Sequence, residues 1–84
     1  DKNVDAKLDG PMLVLQNRDQ PGTIGSVATA IGNKNINIGS MTWGRVAPGG
    51  DAITILNVDE PITPDLEKEI RDLPGIIRAK ALMI

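Results

Sequence analysis

The chain has no cysteine and no histidine, and Trp43 is its one aromatic residue. Without cysteine there is no disulfide framework, no thiolate metal site and no thiol nucleophile. Without histidine there is no imidazole ligand and no Ser-His-Asp triad. A single ring cannot build the stacking ladder that grips single-stranded nucleic acid. Nine Lys and Arg against eleven Asp and Glu leave a formal charge of −2 and a pI near 4.8. A protein so balanced has no basic face to displace counterions from phosphates, so no nucleic-acid partner is expected. No apolar run approaches the roughly 18 residues of a spanning helix, and no secretory signal is visible. No membrane partner is therefore expected, and a cytoplasmic setting is the default.

What is present is aliphatic. Hydrophobic residues make up 40% of 84, almost all Ile, Leu, Val, Ala and Met. This is one small domain, and a chain of this size buries only about 60–65% of the surface its unfolded form exposes. Such a domain is marginal alone and gains from a partner subunit.

Residues 1–9 are polar and mixed in charge and read as a linker or lead-in, as in a piece of a longer protein. Met12 to Leu15 is a short apolar run before the turn-rich Asn17-Arg18-Asp19-Gln20-Pro21-Gly22, hence a strand and a turn. Ile24, Val27, Ala28 and Ile31 fall on one helix face, predicting a helix over Pro21–Lys34 with Pro21 in its first turn. Asn35 suits the left-handed residue that ends it. Ile36, Ile38, Ser40 and Thr42 alternate with Asn37, Gly39, Met41 and Trp43, predicting a second strand with these sets on opposite faces. Ala47-Pro48-Gly49-Gly50 turns it into a third strand, Ala52–Val58. Thr63 is a natural N-cap, Pro64 a first residue and Asp65 a dipole-matched acid for a second helix over Pro64–Leu73. Glu67 and Arg71 can pair on its wet side. Pro74-Gly75 stops it, and Ile76–Ile84 is a last strand.

The order βαββαβ, with right-handed crossovers, closes as an α+β ferredoxin-like sandwich. Its antiparallel sheet has strand order 4-1-3-2 and both helices on one face. Several functions ride on this topology. Metal carriage needs a Cys pair in the first loop, and RNA binding needs aromatics on the central strands; neither is here. The first loop lacks the Gly-rich, Phe-Arg pattern of the acylphosphatases. Gly22-x-x-Gly25 has neither the spacing of a dinucleotide fingerprint nor a P-loop lysine after it. Sensing of a small ligand at a subunit interface remains.

Here the residues carry a resemblance. Asn17-Arg18-Asp19-Gln20-Pro21-Gly22-Thr23-Ile24-Gly25, then Asn35-Ile36-Asn37-Ile38-Gly39-Ser40-Met41, Gly49-Gly50-Asp51-Ala52 and Leu73-Pro74-Gly75-Ile76 resemble an ACT domain over Gly10 to Ile84. More narrowly they resemble the C-terminal regulatory domain of bacterial D-3-phosphoglycerate dehydrogenases, as does Asn57-Val58-Asp59-Glu60-Pro61. The resemblance implies a non-catalytic module in which L-serine, the end product, binds between paired domains and slows the enzyme. NAD chemistry would belong to other domains of such a parent, and no cofactor is implied here. Iron-sulfur L-serine dehydratases carry similar domains, and a module that assembles subunits without a ligand is the other alternative. The family's ligand contacts fall on Asn17, where the serine-sensitive form often has His, on Asp19, and on Asn37.

The residue chemistry supports the same place. Asp19 to Thr23 lead into a helix N-terminus, where the N–H groups around Gly22, Thr23 and Ile24 suit a carboxylate. Asp19 offers a charge to an ammonium, and Asn17 and Asn37 offer carbonyl oxygens. Asn17 ends strand one and Asn37 begins strand two, a helix length of ~18 Å away. They meet only if edge strand two pairs antiparallel with a twofold mate, giving a homodimer through that edge.

Overall fold

The computed structural model describes residues 9–20, 22–45 and 50–84. Its elements follow in the order β1 (Pro11–Arg18), α1 (Thr23–Gly32), β2 (Ile38–Arg45), β3 (Asp51–Val58), α2 (Pro64–Arg71) and β4 (Ile76–Met83). The sheet is β2-β3-β1-β4 with every pairing antiparallel, the expected ferredoxin-like sandwich. Gly10 and Ile84 exchange both backbone hydrogen bonds, at 2.7 and 3.2 Å, extending the β1–β4 ladder. The expectations for residues 1–8, for Pro21 and for the turn at Ala47-Pro48-Gly49 lie outside the described residues.

Period-two burial on β1 and β3 sends Leu13, Leu15, Leu56 and Val58 to one face. There they meet Val27 and Ile31 of α1 and Leu66 and Ile70 of α2, forming one core. The other face carries Val14, Ile53, Ile55 and Leu82, by the registers of the three ladders. No helix among the described residues is long and apolar enough to cross a membrane.

Helix ends follow local chemistry. The Thr63 hydroxyl accepts the Leu66 N–H at 3.2 Å, and Asp65 and Glu67 occupy the first turn of α2. α2 stops at Arg71, two residues short of the expected Leu73. Leu73 precedes proline, which disfavours helical backbone there, and the chain leaves through Gly75 at φ +88°. α1 ends at Gly32, with Asn35 as its left-handed exit at φ +61°.

β2 departs from the expected alternation. Ile38 pairs with Val58 but Ser40 with Asn57, so the register slips by one residue at Gly39. A bulge of this kind reverses the faces beyond it. Met41 and Trp43 therefore stand beside Leu56 and Thr54 on the helix side. Ser40 and Thr42 take the other side, and Asn37, before the bulge, does not share an alternating series with Trp43.

The two sheet edges differ. β4 is packed by α2, whose Glu67 carboxylate accepts the Ala81 N–H at 2.8 Å. The Glu67–Arg71 pair exists at 3.8 Å, but the carboxylate's closer partner is the strand. A backbone donor on that edge is thus already used, which protects it from strand addition.

Candidate functional site

β1 carries Asn17 opposite Ala52 of β3, near the end of the sheet that faces the N-terminus of α1. The side chain is 3% exposed, too deep for a polar group without partners. It has two: Oδ1 accepts the Thr54 hydroxyl at 2.9 Å, and Nδ2 donates to the Arg18 carbonyl at 3.1 Å. The amide is thereby fixed in one orientation. One residue beyond β1, the Asp19 N–H donates to the Gly50 carbonyl at 3.1 Å, which ties the loop to the start of β3 and leaves Asp19 exposed.

Asn17, Asp19 and Gln20 form the polar wall of a cleft of about 160 Å³. Ile24 of α1 closes one side, and Met41 and Trp43 of β2 close the other. Thr54 and Ala52 make its floor. Charge, amide groups and an apolar wall thus meet in a space the size of a small organic zwitterion. Met41 and Trp43 are 49% and 55% exposed, so the apolar wall is open toward the β2 edge.

α1 begins beside this cleft with no side-chain cap from its N-cap residue. Gly22, at φ +89°, is the N-cap and offers no side-chain acceptor, and no acidic residue lies in the first turn. α2, by contrast, has a hydroxyl cap and two acids. The dipole at this end of α1 favours a negative group.

The structure brings Asn17, Asp19 and Ile24 together and separates the other three expected residues. Gly22 and Thr23 border a neighbouring depression with Ser26 and Pro74, reached through Gln20, which touches both. Thr23 is buried under the Pro74-Gly75 turn. A Cβ on Gly75 would lie 2.6 Å from its hydroxyl oxygen. Asn37 sits at the opposite end of the sheet, where its N–H donates to Asp59 Oδ1 at 3.0 Å and its carbonyl accepts the Asp59 N–H at 3.1 Å. Met41, Trp43 and Thr54 were not singled out as ligand contacts from sequence. The signal for the first two was Gly39, a residue that often marks a strand bulge. Nothing local marked Thr54 as the anchor of Asn17, 37 positions away.

Solved structures share the fold. The ACT domain of the GTP pyrophosphokinase of Chlorobium tepidum matches with a TM-score of 0.64 at 17% identity, covering 88% of this chain and 97% of that one. The ligand-free regulatory subunit of aspartate kinase from Thermus thermophilus gives 0.64 at 17%, covering 96% and 55%. At such identity the likeness is one of fold. Sequence goes further: a family model described as "ACT domain" matches residues 12–75, and the chain belongs to the ACT domain family.

Its curated relatives include D-3-phosphoglycerate dehydrogenase 3, chloroplastic, of Arabidopsis thaliana, 41% identical over 73 residues, which are 87% of this chain and 12% of that protein. The D-3-phosphoglycerate dehydrogenase of Archaeoglobus fulgidus is 42% identical over 79 residues, 92% of this chain and 15% of that protein. A probable L-serine dehydratase beta chain of Bacillus subtilis is 32% identical over 68 residues, 81% and 31%. The chain thus spans only a small part of the length of the relatives it matches.

Proposed function

We propose that this domain is the regulatory module of a cytoplasmic, NAD-dependent D-3-phosphoglycerate dehydrogenase and that its effector is a small amino acid, L-serine above all. One observation carries the reading: Asn17, Asp19 and Ile24 share a cleft at the uncapped N-terminus of α1. The effector's ammonium lies near Asp19 in the cleft, and its carboxylate reaches past Gln20 toward the N–H groups of Gly22 to Ile24, the first two of which border the neighbouring depression. Asn17 is oriented by Thr54 to meet the polar side chain. Asn37 joins from a second copy, paired through β2, because within one chain it stands at the far end of the sheet. The parent's oxidation of a phosphorylated hydroxy acid, and its NAD, belong to other domains; the role of this one is to let the effector alter how subunits sit.

Calorimetric titration of the chain with L-serine, glycine, L-alanine and L-valine tests this. Saturable heat with serine, weaker with the others, supports it. Absence of heat with every amino acid at millimolar concentration leaves the module an assembly domain instead. The match to a dehydratase beta chain favours a second parent, which would share the effector reading.

A further inference from the structure

Resting on the effector reading above, we propose that Met41 and Trp43 decide which amino acid the cleft accepts, restricting it to a short, neutral side chain. Three observations carry this. The first is size. The cleft holds about 160 Å³, roughly half of the ~300 Å³ at which pockets for drug-sized ligands begin. The second is charge. Asp19 is the one charged side chain among the described residues that line the cleft. It attracts an ammonium and repels an acidic side chain, and no lysine or arginine among those residues offsets the repulsion.

The third is the contrast between the two walls. Asn17 commits one amide N–H to Arg18 and one lone pair to Thr54, which leaves the amide one donor and one acceptor position. A single hydroxyl uses both. The opposite wall is a thioether and a ring. A further polar group on the effector's side chain would lose its water against them without a replacement, and an added methyl would meet them as bulk. This wall exists because of the bulge at Gly39. Under unbroken alternation from Ile38, Ser40 and Thr42 would face the cleft; the slip of one residue turns Met41 and Trp43 to that side instead. Two hydroxyl side chains are thereby exchanged for two large apolar ones. Trp43 then stands opposite Thr54, the anchor of the Asn17 amide.

Met41 and Trp43 are about half exposed on an edge strand, so a packing role is the competing account. A wall that only packs would scale every amino-acid affinity alike, whereas a wall that selects changes their ratio. Wild type, Met41→Ala and Trp43→Ala are titrated calorimetrically with L-serine, L-threonine and L-asparagine. Wild type should prefer serine to both others. Each variant should keep most of its serine affinity, because Asn17, Asp19 and α1 are unchanged. Its preference for serine over threonine and over asparagine should fall about tenfold, the low end of the roughly 10- to 200-fold that one methylene contributes in an apolar pocket. Affinities that drop by one common factor, with the wild-type ratios kept, overturn the proposal and leave the effector reading standing. Trp43 is the only aromatic residue, so wild-type emission reads this wall without any substitution. Serine should shift it, and in Asp19→Ala the shift should require about ten- to a hundredfold more serine. Heat of serine binding with unchanged emission also overturns the proposal. No heat with any of the three amino acids overturns the effector reading and this inference with it.

Discussion

The Thr54 hydroxyl donates to Asn17 Oδ1 at 2.9 Å with both side chains at most 3% exposed. This bond joins neighbouring strands β3 and β1 beneath the cleft and fixes the one amide that faces it from the core side. A buried acceptor that loses its donor retains its desolvation cost, about 1–3 kcal/mol. Thr54→Val, which keeps the shape and deletes the donor, should lower unfolding stability by ~1–3 kcal/mol in urea titrations. It should also weaken serine binding although Thr54 carries no charge. Thr54→Ser keeps the hydroxyl and should restore most of the affinity.

Gly75 and Thr23 form the second sensitive contact. Gly75 has φ +88°, and a Cβ there would sit 2.6 Å from Thr23 Oγ1 and 3.1 Å from its Cγ2. Gly75→Ala combines a left-handed strain of about 1 kcal/mol with that overlap. Thermal unfolding should show a fall in Tm on the order of 4–8 °C per kcal/mol lost for a domain this small. Thr23→Ala removes the overlap but not the strain. A double-mutant cycle should therefore give a favourable coupling between the two changes. An additive cycle would mean the neighbouring backbone simply moves aside.

Glu67 is the next. It bonds the β4 backbone at 2.8 Å, and its arginine partner is further off at 3.8 Å on an exposed surface, where ion pairs contribute little. Glu67→Ala should speed amide exchange at Ala81 and cost roughly 1.5–3 kcal/mol, the range for hydrogen bonds to ions, reduced by partial exposure. Arg71→Ala should change stability by less than about 0.5 kcal/mol. Equal effects of the two would show that the ion pair, not the strand contact, is the important one.

The fold was legible because its signals are local. Apolar periodicity set each element, Thr63 and Pro64 opened α2, Asn35 closed α1, and βαββαβ order with right-handed crossovers left one economical sheet. The cleft was half legible. Asn17, Asp19 and Ile24 are close in sequence to one turn, and the turn brings them together. Met41 and Trp43 reached the cleft through a one-residue bulge, and strict alternation placed them on the wrong face relative to Ile38. Glu67 likewise read as half of a surface pair with Arg71, because an i,i+4 spacing is visible in sequence and a free N–H on a distant edge strand is not. The partners of Asn17 and Thr23, namely Thr54 and Gly75, come from β3 and from the turn before β4. Their contacts depend on tertiary register, which no window of neighbouring residues contains.

The last prediction tests whether the site is shared between chains. Asp19→Ala removes the charged partner of the effector's ammonium. A hydrogen bond involving an ion contributes roughly 1.5–3 kcal/mol, so serine affinity should fall about ten- to a hundredfold. Asn37→Ala should weaken binding less, since it removes a neutral group. If each site takes Asp19 from one chain and Asn37 from the other, a mixed dimer of the two variants concentrates both defects in one site and leaves the second intact. Random mixing makes half the dimers mixed, so about a quarter of all sites should recover wild-type affinity. Titration of the equilibrated mixture should then show a tight phase of that amplitude, absent from either variant alone. If both residues served a site within one chain, mixing would create no intact site, and the titration would be the plain average of the two variants.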